Sequence, residues 1–369
     1  MLETNRLVIP LERSLHSVMG DLGHEQVVFC NDASTGLKAI IAIHNTVLGP
    51  GMGGTRFWDY ATDEDAITDV MRLSRGMTYK NALAGLNAGG GKAVIIGSPN
   101  IKSEPLLRRF GRFIDSLAGG YVTAEDVGMC SLDMEYIGME TQFVTGLSEI
   151  QGGGGDPSPV TAYGVYMGIK AAAKKTYGSD DLSGKKIFVQ GVGHVGSQLV
   201  KLLVKENAKV LISDLYEERV LEVAKAYKAE VVDPTDGLDL EMDIYAPCGL
   251  GATLNNESIP GLKCQIIAGG ANNQLEDEEL HARMLQERDI VYAPDFLINS
   301  GGIINVYLEY AGNYQRELAY QRTEDIYQIC LKLLERAEIE GVTTHQAALQ
   351  MAKDRISAMG KVKLSFKAQ

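Results

Sequence analysis

Apolar residues along this chain switch between a strand-like run and a helical period, and the switches divide it. Residues 38–49, KAIIAIHNTVLG, form a nearly unbroken, β-branched apolar run, the pattern of a buried strand. From about Asp63 to Leu86 the period becomes helical. Ile67, Val70, Met71, Ser74 and Met77 track one face, and Thr62 with Asp65 has the spacing of a capping pair. NAGGGKAVIIG then predicts a glycine turn feeding a second buried strand. Residues 104–118 predict another helix, and YVTAEDVG a strand ending in a polar loop.

The clearest break is QGGGGDPSP at 151–159, where four glycines and two prolines can continue neither helix nor strand. We place it at the link between two domains rather than in a mobile surface loop, because the pattern changes directly after it. A long helix from Val160 to about Tyr177 is followed by alternating units. KKIFVQ is a strand, GVGHVG a turn, SQLVKLLVKEN an amphipathic helix, KVLISD a strand and LYEERVLEVAKAY a helix. Short apolar strands recur at EVV, DIYAP, QIIAG and IVYAP, which predicts a parallel, doubly wound sheet. The expected fold class is therefore α/β with two domains: residues 1–150, with 340–369 packing back on them, and a Rossmann-type domain at 151–339.

Composition narrows the function. A chain of 369 residues exceeds one typical core. Acidic residues outnumber basic ones, 48 to 35, which disfavours nucleic acid as a partner. The five cysteines are scattered without a CxxC pair, so we expect no metal site and reduced thiols. The first twenty residues do not read as a signal peptide, and no apolar stretch reaches the ~20 residues that span a membrane. We expect a soluble, cytoplasmic protein.

GVGHVG supplies Gly191, Gly193 and Gly196 in the GxGxxG spacing. Alone this is weak. Here it follows a strand, opens a helix, and precedes Asp214 by 23 residues at the end of the next strand, the context a dinucleotide fingerprint requires. Gly191 permits the tight turn, Gly193 lets the backbone approach a pyrophosphate, and Gly196 allows close helix–strand packing. The cofactor site is thus expected over Gly191, Val192, Gly193, His194, Val195, Gly196 and Ser197. Asp214 would accept from ribose hydroxyls and repel a 2′-phosphate, and no arginine follows it in SDLYEE, so NAD is favoured over NADP.

Two lysines sit in unusual settings. Lys80 lies in RGMTYKNALAG, and Lys92 lies twelve residues on, in NAGGGKAVIIG. Most lysines are solvated, yet these are embedded in apolar or glycine-rich sequence leading into a buried strand. Two neighbouring ammonium groups disfavour double protonation, so one could hold a carboxylate while the other acts as a base.

The segments GPGMGGTR, GMTYKN, GLNAGGGKAVIIG, TAEDVG, DPSPVTAYGV, APCGLGATLN, AGGANNQL and YAPDFLINSGGIINV together resemble the leucine/phenylalanine/valine branch of the glutamate dehydrogenase superfamily. The resemblance runs from about Glu25 to beyond Asn305. It implies that the first domain binds substrate, with Lys92 as the catalytic lysine that activates water and Lys80 pairing with the substrate carboxylate. Asp126 would relay protons at the substrate nitrogen, and Thr161 would lie near the nicotinamide carboxamide. Asn272 and Asn273 would touch nicotinamide and substrate, and Met52, Gly53 and Ala124 would lie around the substrate. GLNAGGGK resembles the leucine type, whereas GPGMGG departs from the alanine and leucine common before the glycine pair. The implied activity is NAD-dependent oxidative deamination of L-leucine and other branched-chain L-amino acids to 2-oxo acids and ammonium. The implied assembly is a homo-oligomer, commonly an octamer, with a cleft that closes on the substrate.

Overall fold

The computed structural model describes residues 14–233, 240–312 and 314–362. Contacts divide them into two compact units. The described residues of the first lie within 14–156, 305–315 and 352–362, and those of the second within 157–304 and 316–351.

The first unit begins with α1 (Leu15–Leu22), followed by β1 (Gln26–Asp32), β2 (Leu37–Asn45), β3 (Gly51–Met52) and β4 (Thr55–Trp58). Then come α2 (Asp63–Leu83), β5 (Gly89–Ile96), α3 (Glu104–Asp115), β6 (Tyr121–Val122) and α4 (Ser131–Gly138). The sheet order is β1-β2-β5-β3-β6, with β4 also on β5. β1 and β2 pair antiparallel, as do β2 and β5, while β3, β4 and β6 join in parallel.

Alternation along the strands sorts this sheet into two faces. Leu37, Ala39, Ile41, Ile43, Ala93 and Ile95 pack with Leu106, Phe110 and Ile114 of α3 and Ile137 of α4. Ile40, Ala42 and Val94 face Val18 of α1 and Ala66, Val70 and Met71 of α2. The Thr62 hydroxyl accepts from the Asp65 N–H at 3.1 Å, the cap expected from sequence, and α2 ends three residues before the expected Leu86. The YVTAEDVG segment is strand only at Tyr121–Val122 and then runs as a loop pinned to β4.

The second unit contains α5 (Ser158–Tyr177), β7 (Lys186–Gln190), α6 (His194–Lys205), β8 (Lys209–Ser213), α7 (Glu217–Tyr227) and β9 (Glu230–Val231). It continues through β10 (Ile244–Pro247), β11 (Ile266–Ile267), α8 (Leu280–Glu287), β12 (Val291–Tyr292) and α9 (Asp295–Ile298). Its six strands are all parallel, in the order β12-β11-β10-β7-β8-β9. After β9 the chain crosses to the other side of β7, so the edge shared by β7 and β10 is the topological switch point. α11 (Arg316–Glu340) packs along α5.

The unit division falls between Asp156 and Pro157, inside QGGGGDPSP. That segment is no free loop. Gly153 and Gly154 are buried, and the Glu309 carboxylate of α10 (Gly301–Tyr310) accepts from the N–H groups of Gly146, Leu147 and Gly154 at 3.0–3.2 Å. These bonds explain why 305–315 belongs to the first unit, which the sequence reading had not anticipated. The C-terminal return begins at Ala352, within α12 (Thr344–Gly360), rather than near 340. Its anchor is Arg355, whose guanidinium donates to the carbonyls of Ala82, Gly85 and Leu86 and to the Asn87 side chain, satisfying the orphan acceptors at the end of α2.

A histidine pair fastens the other side of α2. His24 bonds Met71 O at 3.0 Å and the Ser74 hydroxyl at 2.9 Å. His44 bonds the Thr78 hydroxyl at 2.8 Å and Leu22 O at 2.9 Å, with the two rings edge-on at 4.8 Å. Burial, and then the neighbouring ring, bring His24 down to about 4, and burial lowers His44 as well. The folded state therefore holds these rings neutral while the unfolded chain takes up protons below the ordinary histidine value. Their stabilisation should be complete above about pH 6.5 and lost as pH falls toward 4. Urea unfolding of wild type and His24→Asn across that range checks this. The wild type should lose stability more steeply than the variant, and parallel curves would remove the pair as the cause.

Candidate functional site

The Lys92 region is built by close approach. At the three glycines before it, an added Cβ would fall 2.0 Å from Asn45 O at Gly89, 2.0 Å from the Thr78 hydroxyl at Gly90, and 2.7 Å from the Tyr121 ring at Gly91. β2, α2 and Tyr121 can therefore crowd onto β5 only where there is no side chain. Asn81, fully buried on α2, locks the arrangement by donating to Gly89 O at 2.6 Å and Met52 O at 3.3 Å.

Lys92 shares the α2 face of β5 with Val94. Its backbone lies where the strand flanking β5 is interrupted: β3 ends at Met52 and β4 begins at Thr55, leaving Gly53 and Gly54 outside both. Gly54 has no room for a Cβ, which would stand 2.4 Å from Glu125 O and 3.0 Å from Asp126 Cβ. The loop carrying Asp126 thus lies directly over this gap. It is held there by Thr55 N–H donating to Ala124 O and Phe57 N–H donating to Val127 O, both at 2.9 Å.

The result is an ion pair. The Lys92 ammonium lies 2.7 Å from Asp126 Oδ2, with only 8% of the lysine side chain exposed. Arg56 Nε lies 3.3 Å from that same oxygen, and Arg56 Nη1 lies 2.8 Å from Asp69 Oδ2. Burial pushes the Asp126 carboxyl up, but Lys92 and then Arg56 outweigh it and bring the group down to about 2. Burial likewise opposes the Arg56 charge, and Asp126 and Asp69 outweigh it.

Lys80 is half-buried in the last turn of α2. It is one turn from Met77, whose side chain lies against Gly53, so the two share a helix face. Ala124 is nearly buried, and Gly53 O accepts from the Tyr121 hydroxyl at 2.7 Å. Met52 differs from the expectation. It has no accessible surface, so its side chain is core here and not an exposed wall of a substrate pocket.

In the second unit the glycine turn follows β7 at the switch point. Gly191 takes φ +96°, and a Cβ there would stand 2.5 Å from Gly249 N. A Cβ on Gly196 would stand 2.0 Å from Gly191 O, whereas Gly193, at the N-terminus of α6, faces open space. That free approach beside unbonded helix N–H groups fits a pyrophosphate. Val192 is buried, His194 is exposed, Val195 is half-buried, and the Ser197 hydroxyl donates to His194 O at 3.2 Å. Asp214 is oriented toward this turn, accepting from Val192 N–H at 2.8 Å and Tyr216 N–H at 3.0 Å.

Thr161 lies in the first turn of α5, where its hydroxyl donates to Pro157 O at 3.0 Å and keeps its lone pairs for a donor. Asn272 and Asn273 follow β11 and are exposed. Asn272 Oδ1 accepts from Asn299 at 2.7 Å, and Asn273 takes φ +52° with its carbonyl bonded by Ala252 N–H. The donor set fits a dinucleotide.

Sequence reasoning missed Arg56, Asp69, Asn81 and Asn299. Arg56 stood inside GPGMGGTR, and its signal was a guanidinium directly before the apolar pair Phe57 and Trp58 in a short strand.

A parallel sheet with a glycine fingerprint at its switch point, and a second α/β unit enclosing a lysine–aspartate pair, are the parts of a dinucleotide-dependent oxidoreductase. Residues 24–143 match the Glu/Leu/Phe/Val dehydrogenase dimerisation domain, and residues 152–217 and 212–363 match the Glutamate/Leucine/Phenylalanine/Valine dehydrogenase domain. The chain belongs to this family of NAD(P)-dependent amino acid dehydrogenases. It is 53% identical to a leucine dehydrogenase from Thermoactinomyces intermedius over 93% of each chain. It is 46% identical to a valine dehydrogenase from Streptomyces virginiae over 94% of this chain and 97% of that one. The crystal structure of L-tryptophan dehydrogenase from Nostoc punctiforme superposes with a TM-score of 0.84 at 45% identity, covering 95% of this chain and all of that one.

The packing at Gly90 is open to a direct test. Gly90→Ala places a methyl 2.0 Å from the Thr78 hydroxyl and 2.4 Å from its backbone nitrogen. It should cost about 2–3 kcal/mol in urea unfolding. An unchanged midpoint would show that α2 does not rest on β5 at this glycine.

Proposed function

We propose that the protein catalyses the reversible, NAD-dependent oxidative deamination of branched-chain L-amino acids, leucine foremost. The observation that carries this reading is the buried Lys92–Asp126 pair, 2.7 Å apart and joined by Arg56 on the same carboxylate oxygen. Such a pair is suited to moving protons at a carbon–nitrogen bond.

Lys80 is assigned to the substrate α-carboxylate, which fixes the amino acid by one end. Gly53 and Ala124, buried beside the Asp126 loop, are assigned to the backbone around the α-carbon, and the Asn273 side chain is assigned to the amino group. NAD, when bound, accepts the hydride from Cα. Gly191, Gly193 and Gly196 with the α6 N-terminus would hold its pyrophosphate, Asp214 its adenosine ribose, and Thr161 and Asn272 its carboxamide. The substrate becomes an iminium, and Lys92 takes a proton from water as the oxygen attacks. Asp126, having taken a proton from the substrate ammonium before the hydride leaves, returns it to the carbinolamine nitrogen; the C–N bond breaks as the hydroxyl gives its proton to the departing ammonia, ammonium leaves, and Lys92 passes its proton to solvent. The balance is amino acid, NAD and water in; 2-oxo acid, ammonium, NADH and one proton out.

Leucine is favoured by the greater identity to the leucine dehydrogenase than to the valine and tryptophan enzymes. NAD is favoured over NADP by Asp214, since its carboxylate would repel a 2′-phosphate. The matched dimerisation domain supports a homo-oligomer, with an octamer as the expected closed assembly. The free thiols of all five cysteines fit the reducing cytoplasm.

NADH formation at alkaline pH with a panel of L-amino acids tests the reading. The highest kcat/KM should fall on leucine, isoleucine or valine, and a preference for tryptophan or phenylalanine would replace the substrate assignment. Lys92→Ala should lower kcat by at least about 100-fold with NADH binding retained; near-normal turnover would remove Lys92 as the base. Asp214→Asn should narrow the preference for NAD over NADP, and an unchanged ratio would take the ribose contact from Asp214.

A further inference from the structure

We infer that Arg56 is a positioning residue for Asp126: its permanent charge keeps that carboxylate oriented and favours its anionic form between proton transfers, while the proton on Lys92 comes and goes. The inference rests on the deamination reading above. Its starting point is that two cations converge on one oxygen, Asp126 Oδ2, with Lys92 Nζ at 2.7 Å and Arg56 Nε at 3.3 Å. Each time Lys92 becomes neutral to take a proton from water, Asp126 loses its nearest cation in a largely buried setting. A guanidinium does not deprotonate, so Arg56 is the counter-charge that remains.

The arrangement around Arg56 is suited to that task. Its Nη1 is fixed by Asp69 Oδ2 at 2.8 Å, and Asp69 is itself held by the Tyr60 hydroxyl at 2.7 Å and by Arg72 at 3.4 Å. Backbone bonds from Thr55 to Ala124 and from Phe57 to Val127 clamp β4 to the Asp126 loop on both sides of the arginine. Among the described residues, the charged or titratable groups acting on Asp126 are Lys92 from β5, Arg56 from β4 and the Tyr121 phenol from β6, which burial keeps protonated. Arg56 is therefore the one charge in this set that no proton transfer cancels.

Removing that charge stabilises the protonated forms of both Asp126 and Lys92, so the pair should release its proton at higher pH. The test measures kcat and KM for leucine oxidation from pH 6 to 11 in wild type, Arg56→Gln and Arg56→Lys. Arg56→Gln should lower kcat near neutrality about 10- to 100-fold. It should move the rising limb of the profile alkaline by about one pH unit and leave amino acid KM little changed. Arg56→Lys should return the limb while recovering only part of kcat, because one ammonium cannot reproduce the two-sided geometry. If wild type is active and folded Arg56→Gln keeps both its kcat and its limb, the inference is wrong and the deamination reading stands. A wild type inactive on every amino acid overturns both. Should Arg56→Gln not fold, Asp69→Asn frees the guanidinium without removing its charge. It should lower kcat with the limb in place, and wild-type kcat there counts equally against the inference.

Discussion

A lysine ammonium taken out of water costs several kcal/mol unless an anion meets it, and removing one partner of a buried pair costs about as much again. That constraint organises the first unit around Lys92. The ammonium needs a carboxylate within contact, so the loop after β6 must be brought over β5, and only a glycine at position 54 leaves space for it. The carboxylate in turn needs fixing against the lysine's motion, and β4 supplies Arg56 from the adjacent strand. Asp69 then answers Arg56, so charge alternates from β5 through the loop and β4 to α2. The helix is thereby tied to the sheet by polar contacts as well as by Val70 and Met71.

The same helix carries other obligations. Its middle is bonded by the neutral pair His24 and His44, its end by Arg355, and its inner face is pressed onto Gly90. Lys80 therefore starts from a backbone fixed on three sides. This is how a long, flexible side chain can present its charge with little loss of precision: the freedom left is in the side chain, and the helix beneath it contributes almost none. The glycines before Lys92 belong to this packing, and they make a buried lysine geometrically possible before any chemistry is asked of it.

Much of this was legible in sequence because it was local. The Thr62 cap, the alternating strands and helices after Val160, and the glycine fingerprint with Asp214 all follow from spacing along the chain. The isolation of Lys92 in apolar sequence likewise announced a buried charge. The partners of these groups were harder to read. Arg56 and Asp126 are seventy residues apart, and Arg355 is about 270 residues from the carbonyls it bonds. No periodicity encodes such pairs, because they arise from where a mixed sheet and a returning helix bring the chain. The return itself was expected, yet its beginning was misjudged: α12 continues as one unbroken helix across the point where its contacts change.

Substrate choice leaves the faintest mark on sequence and fold, and the reason is energetic. The proposed chemistry asks for groups whose misplacement costs several kcal/mol, and such groups leave strong marks: glycine triplets, buried ions, a carboxylate held well below its usual range. Telling leucine from valine asks for one methylene, about 1–3 kcal/mol, which a shift of a few tenths of an ångström in an apolar wall can supply. Met52 illustrates this. Sequence placed it beside the substrate, whereas the structure buries it completely at the end of β3, next in the chain to Gly53, where it acts through the position of the backbone. A residue acting at that remove changes specificity without touching the substrate. Closely related chains can therefore share every charged group of the reaction and still differ in the amino acid they oxidise.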